Sequence, residues 1–335
     1  MTTQRAARSG RVLALLLAIG ATAWAVQAAG DSKGWRDVLD TPAVKSPLAS
    51  RVLLNGMARA GSGRLVAVGQ RGHVVYSDDA GQRWQQAEVP VSSDLVAVSF
   101  PDASNGWAVG HDGVVLRTKD GGKRWTVQAI EAAGLQSPGA ENPFLDVWFH
   151  DASNGYVVGA FGLVLQTQDG GVNWQPLMHA TDNPKSLHLY AVRGFGPDLY
   201  IAGEQGLMLK LAQGDTRFRA QELPYKGTLF GLTGHAQSLL AYGLRGTVLR
   251  STDGGRNWAP TPTGLQVGLT GGIRRDDGRI VLVSQAGHVL VSADDGASFQ
   301  VAKTERTVPA AAVAAPAPGT LVLAGPRGAQ ALQLP

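Results

Sequence analysis

Beyond the first thirty residues, apolar positions come in short runs that alternate with polar ones, and turn-forming residues separate the runs. None of them carries the 3.6-residue spacing of an amphipathic helix. One pair of runs, Leu95 to Phe100 and Trp107 to Val109, is joined by Pro101-Asp102-Ala103-Ser104-Asn105-Gly106. A second pair, Leu145 to Phe149 and Tyr156 to Val158, is joined by Asp151-Ala152-Ser153-Asn154-Gly155. Each reads as a β-hairpin, with Asn105-Gly106 and Asn154-Gly155 supplying positive φ angles. A third strand follows, such as Val114 to Arg117, and a fourth opens on an aromatic residue, as at Trp125.

This layout repeats. A Gly-x-x-Gly segment recurs as Gly69-Gln70-Arg71-Gly72, Gly110-His111-Asp112-Gly113, Gly159-Ala160-Phe161-Gly162, Gly203-Glu204-Gln205-Gly206 and Gly243-Leu244-Arg245-Gly246, then as Ser284-Gln285-Ala286-Gly287 and Gly325-Pro326-Arg327-Gly328. The closing glycines lie 41, 49, 44, 40, 41 and 41 residues apart, the length of a four-stranded propeller blade. The pattern predicts an all-β, seven-bladed β-propeller of four-stranded antiparallel blades over residues 29–335. The last copy holds only three strands, so the N-terminal stretch at about residues 35–40, which opens Trp35-Arg36-Asp37 like a fourth strand, is expected to complete the final blade and clasp the ring.

Between strands three and four sits Ser/Thr-x-Asp-x-Gly-x-x-Trp. It reads Ser77, Asp79, Gly81, Trp84; Thr118, Asp120, Gly122, Trp125; Thr167, Asp169, Gly171, Trp174; and Ser251, Asp253, Gly255, Trp258. A fifth copy, Ser292, Asp294, Gly296, Phe299, ends on a different ring, and the fourth repeat is degraded to Leu211, Gln213, Asp215 and Phe218. The short carboxylate suits capping of turn N–H groups, and the ring suits packing on a sheet. Loss of the copy in repeat four suggests that each turn staples its own blade.

The turn motif is the Asp-box of sialidase-like propellers. Its sevenfold combination with the glycine pairs, from about Trp35 to Pro335, resembles the photosystem II stability/assembly factor family. That resemblance implies a seven-bladed propeller that binds a membrane-protein client through an arginine patch. Related proteins occupy thylakoid lumens and the envelopes of non-photosynthetic bacteria.

Composition narrows the function classes. The 335 residues are 44% apolar and 17% charged, with 44 glycines, 17 prolines and no cysteine. Disulfides, thiolate metal sites and cysteine nucleophiles are therefore excluded. The net charge of +4 owes three units to Arg5, Arg8 and Arg11; the remainder is near neutral, which argues against a nucleic-acid partner. The basic start, the apolar run Val12 to Val26 and Val26-Gln27-Ala28 form a secretory signal over residues 1–28, cleaved after Ala28. The chain is expected in a bacterial periplasm.

Catalytic chemistry finds little support. The first-arginine signature of sialidases is missing, as are Gly-x-Ser-x-Gly, His-Glu-x-x-His and phosphate-cradling loops. The acid pairs lack the spacing of a calcium loop. No metal or small-molecule cofactor is expected. Recognition remains: Arg71, Arg245 and Arg327 share one loop position, and Arg117 and Arg250 share another along strand three with Lys210. Together the five arginines form a candidate patch for a protein client, an integral membrane protein or transporter complex. A carbohydrate-binding or glycoside-cleaving propeller of the sialidase type is the alternative. The longer links at Glu131 to Phe144 and Met178 to Ser186 are candidate partner loops or plain surface.

Overall fold

The computed structural model describes residues 36–130 and 143–334. Seven antiparallel sheets follow one another along the chain, over residues 54–86 (blade 1), 95–127 (blade 2), 144–176 (blade 3), 189–220 (blade 4), 229–260 (blade 5), 269–301 (blade 6) and 312–333 (blade 7). The inner strand of each blade packs beside the inner strands of its two neighbours, and the seventh packs beside the first. The result is a closed seven-bladed β-propeller, and no α-helix occurs among the described residues.

Burial follows position in the blade. Strand 2 lies between two neighbouring blades and is buried along nearly its whole length, as in Arg64–Gly69 and Gly106–Gly110. Such strands read as continuous apolar runs because both faces are covered. Strand 4 is two residues long and largely exposed, as at Thr126–Val127. Each seam between blades has its own apolar core. That of blades 2 and 3 holds Trp107, Val115, Phe149, Leu165 and Trp174, with Trp107 stacked on Phe149 at 3.6 Å.

Hairpin chemistry differs from the Asn-Gly expectation. Neither Gly106 nor Gly155 has positive φ. The bend is made by Asp102 and Asp151, whose carboxylates accept the N–H groups of Ser104 and Asn105 and of Ser153 and Asn154 at 2.7–2.8 Å. Gly106 is needed for room, since a Cβ there would come within 2.3 Å of the Phe100 ring.

Ring closure also departs from the expectation. Of the proposed clasp, Trp35 lies outside the described residues, and the segment after it is not a strand. Val38–Asp40 is a 3-10 turn, started by Asp37, whose carboxylate accepts the Leu39 N–H at 3.0 Å. The segment lies against blade 1 and its lead into blade 2: Ser92 N–H donates to Val38 O at 2.8 Å, and Ala43 N–H to Val89 O at 3.1 Å. Among the described residues the seventh sheet keeps three strands. Blades 7 and 1 close the ring by side-chain packing, through Ala49, Leu54, Ala67 and Ala324 on one level and Leu65, Ala314 and Val322 on another.

Candidate functional site

The two candidate groups of arginines lie at opposite ends of the strands. The Gly-x-x-Gly loops join strands 2 and 3 at the end where each inner strand begins. In five of them the residue before the second glycine is left-handed, with φ of 53–57° at Arg71, Asp112, Phe161, Gln205 and Arg245. The flanking glycines are dictated by crowding: a Cβ on Gly69 or Gly72 would approach the Leu53 or Val91 carbonyl oxygen to 2.1 Å. Pinned on both sides, the loop pushes its central side chain outward.

Arg71, Arg245 and Arg327 are exposed there, and their guanidinium groups have no hydrogen bond or ion pair among the described residues. The nearby acids are engaged elsewhere. Asp94 accepts the Arg71 backbone N–H at 2.7 Å, Asp112 the Ser93 hydroxyl at 2.7 Å, and Glu204 the His188 N–H at 3.0 Å. Arg71 and Arg327 sit on the adjacent blades 1 and 7. Arg245 is set apart on blade 5, because the loop of blade 6 carries only Gln285 and Ala286.

The structure adds a residue that the repeat pattern misses. Arg51 is exposed at the lead into blade 1, where Gly328, next to Arg327, packs on the Ser50 and Arg51 backbone. Because Arg51 lies outside the repeated loop, no periodicity could mark it. Farther round, Phe161 is 62% exposed and rests on the His188 ring at 4.9 Å.

Arg117 and Arg250 belong to the other end. Each immediately precedes an Asp-box and turns toward the box of the next blade. Arg250 Nε donates to Asp295 O at 2.9 Å, and Lys210 in the same position donates to Gly254 O at 2.8 Å and pairs with Asp198 at 2.7 Å. The basic residue at this position is thus a brace between blades in blades 4 and 5.

The five Asp-boxes share one geometry. The Ser or Thr hydroxyl donates to the Asp carboxylate at 2.7–2.9 Å and accepts the Gly N–H at 2.8–3.0 Å. The carboxylate of Asp79, Asp120, Asp169, Asp253 or Asp294 also accepts the N–H four residues on, at 2.9–3.0 Å. Trp125, Trp174 and Trp258 are buried and Trp84 is partly so. Trp84, Trp125 and Trp258 donate their indole N–H to the box glycine carbonyl at 3.0–3.1 Å. Contrary to the staple expectation, the turn binds the preceding blade as well as its own. A Cβ on the box glycine would strike Val322, Val66, Tyr200 and Leu240, each on strand 2 of the blade before, at Gly81, Gly122, Gly255 and Gly296.

Blade 4 lacks the box yet keeps its ring: Phe218 is 1% exposed. The link at Met178 to Ser186 compensates. Asp182 accepts Arg217 Nε at 2.8 Å, and Arg217 Nη1 and Nη2 donate to His179 O and Thr181 O. That link is spent on bracing blade 4. The longer link lies mostly outside the described residues.

Hydrogen bonding holds the box carboxylates ionised. The Arg83 side chain brings Asp79 to about 2, the Asn257 backbone N–H and amide bring Asp253 to about 2, and Ser298 brings Asp294 to about 2. Asp169 is lowered by Asn173. An unfolded aspartate titrates near 4. Because the folded values are lower, this stabilisation is complete above about pH 4 and is lost as pH falls toward 2. The melting temperature is expected to show no pH dependence from these groups between pH 5 and 7, where their stabilisation is fully present, and to drop below pH 4. A Ser298→Ala variant should lose part of the drop, and an unchanged acid limb would count against the assignment.

The geometry agrees with the comparisons to known proteins. A family model described as photosynthesis system II assembly factor YCF48 matches residues 77–138 and 133–300. The chain belongs to this family. Over 53 residues it is 42% identical to the chloroplastic photosystem II stability/assembly factor HCF136 of Cyanidioschyzon merolae, a stretch covering 15% of this chain and 12% of that one. Over 51 residues it is 39% identical to the photosystem II assembly protein Ycf48 of a Synechococcus species, 15% of each. These stretches span well under a fifth of the relatives' own lengths. Among solved structures, YCF48 bound to D1 peptide superposes with a TM-score of 0.65 at 18% identity, covering 87% of this chain and 96% of that one. YCF48 from Cyanidioschyzon merolae gives 0.66 at 16%, over 87% and 97%. Streptogramin B lyase gives 0.68 at 13%, over 85% and 95%, so the likeness in shape speaks for the fold alone.

Proposed function

We propose that this chain is a non-enzymatic, exported assembly factor that holds a protein client, an integral membrane subunit, on the face carrying the Gly-x-x-Gly loops. The observation that carries this reading is the set of exposed guanidinium groups of Arg327, Arg51 and Arg71 on adjacent blades, none of which has a hydrogen bond or ion pair among the described residues. Exposed guanidinium groups that pair with no acid of their own chain are ready to bond a carboxylate in a partner. Family membership supports the role, and a related YCF48 is known bound to a D1 peptide. The client is read as a segment bearing acidic side chains, delivered after export and removal of residues 1–28.

Affinity capture from detergent-solubilised envelope membranes tests this. The protein recovered from the envelope should begin at Ala29 and enrich a membrane subunit. The Arg51/Arg71/Arg327→Ala variant should lose about tenfold or more of that capture, as expected for removing charged hydrogen-bond donors. Arg245→Ala alone should have a smaller effect. Equal capture by the triple variant and the parent would remove this face from the function.

A further inference from the structure

We infer that the seam between blades 2 and 3 holds a binding site for a single small oxyanion of the carboxylate or phosphate class, centred on Arg117 and independent of the client face. The equivalent cations in blades 4 and 5 are satisfied. Lys210 has Asp198 and the Gly254 carbonyl, and Arg250 has the Ser238 hydroxyl and the Asp295 carbonyl. In blade 2 Arg117 makes neither kind of bond among the described residues. The carbonyl of Gly170, which corresponds to those of Gly254 and Asp295, accepts the Trp107 indole N–H at 3.1 Å, as that of Gly254 accepts the Tyr200 hydroxyl at 2.9 Å, but the Arg117 guanidinium does not join it. Asn105 stands where blade 4 has Asp198, and Asp102 beside it is engaged by the N–H groups of Ser104 and Asn105 and by the Asn105 amide.

The Arg117 guanidinium lies over the Trp107 ring, 5.2 Å from its centroid, with Nε buried and without an acceptor among the described residues. A Cβ on Gly170 would stand 3.0 Å from Arg117 Nη2, so the side chain borders the blade 3 turn closely. A second buried donor lacks an acceptor at the same turn: Trp174 Nε1, the one indole of the four box tryptophans that makes no bond to its glycine. Buried donors are rarely left unmatched, because each forfeits the hydrogen bond it would make to water. Stacking occupies the face of a guanidinium and leaves its edge, Nε with one Nη, for two parallel bonds to an oxyanion. Because Nε is shut off from solvent, only a small guest can reach it.

The test follows the Arg117 Nε–H resonance of the full chain by NMR, identified by its absence in Arg117→Gln. Inorganic phosphate and acetate are titrated separately, with sodium chloride holding the ionic strength constant. Saturable movement of this resonance by either anion is expected, and the one that saturates lower names the guest. Asn105→Asp, which restores the acid that Asp198 offers Lys210, should weaken the response about tenfold, the worth of a charged hydrogen bond. The absence of saturable movement in the parent protein, or an undiminished response in Asn105→Asp, would overturn the site.

Discussion

Val322→Asp should prevent the ring from closing, whereas deleting residues 37–40 should be tolerated. Val322 is fully buried in the seam of blades 7 and 1, and its methyl groups fill the place where Gly81 has no side chain. Its companions there are Leu65 and Ala314, with no cation among them, so a carboxylate would be buried without a partner. The cost is about 4 kcal/mol or more, set against a whole stability of roughly 5–15 kcal/mol. The melting temperature should fall by about 8 °C or more, or soluble protein should be lost. Removing 37–40 sacrifices the Ser92-to-Val38 hydrogen bond and the partly buried Leu39, worth about 1–2 kcal/mol. Thermal melts of the two variants decide the matter. A larger loss from the deletion would restore the N-terminal segment as the clasp.

The second large effect concerns the Asp-box. Trp125→Ala should cost about 3–5 kcal/mol, and Asp120→Ala about 1–2 kcal/mol. Trp125 is 4% exposed, meets Phe100 edge-on at 6.0 Å and closes its turn through Gly122 O. Its removal leaves a cavity in the seam of blades 1 and 2. Asp120 organises N–H groups that water can reach in its absence. Blade 4 has already made this substitution: its carboxylate is gone from the turn, Asp198 and Asp182 accept in its stead, and the ring persists as Phe218. Chemical denaturation of both variants measures the order. If Asp120→Ala proved the costlier, the box would be held by its carboxylate.

Much of this molecule is legible from local chemistry. Gly69 and Gly72 are glycines because a Cβ would strike backbone oxygens, and that demand returns at nearly every blade, so period and blade number are plain in the chain. Asp79 and its four counterparts bond within their own turns, which makes the motif readable without a neighbour. The patch was less legible. A shared repeat position places Arg71 and Arg117 each in a class, but the direction of a strand puts the two classes at opposite ends. Arg51 has no repeat position at all, and joins Arg327 through contact between chain ends.

The sequence alone determined the repeat, the strand count of each unit and the Asp-box turns, because these depend on steric demands and hydrogen bonds among residues close in the chain. The tertiary structure decided what crosses from one blade to the next. It alone closed the ring by packing alanines and valines, put Arg71 on the blade next to Arg327 with Arg51 at the foot of the Arg327 loop, and laid Arg117 over the Trp107 ring without the acceptors its counterparts have. Those outcomes depend on which distant groups meet across a seam, and no spacing along the chain records that meeting.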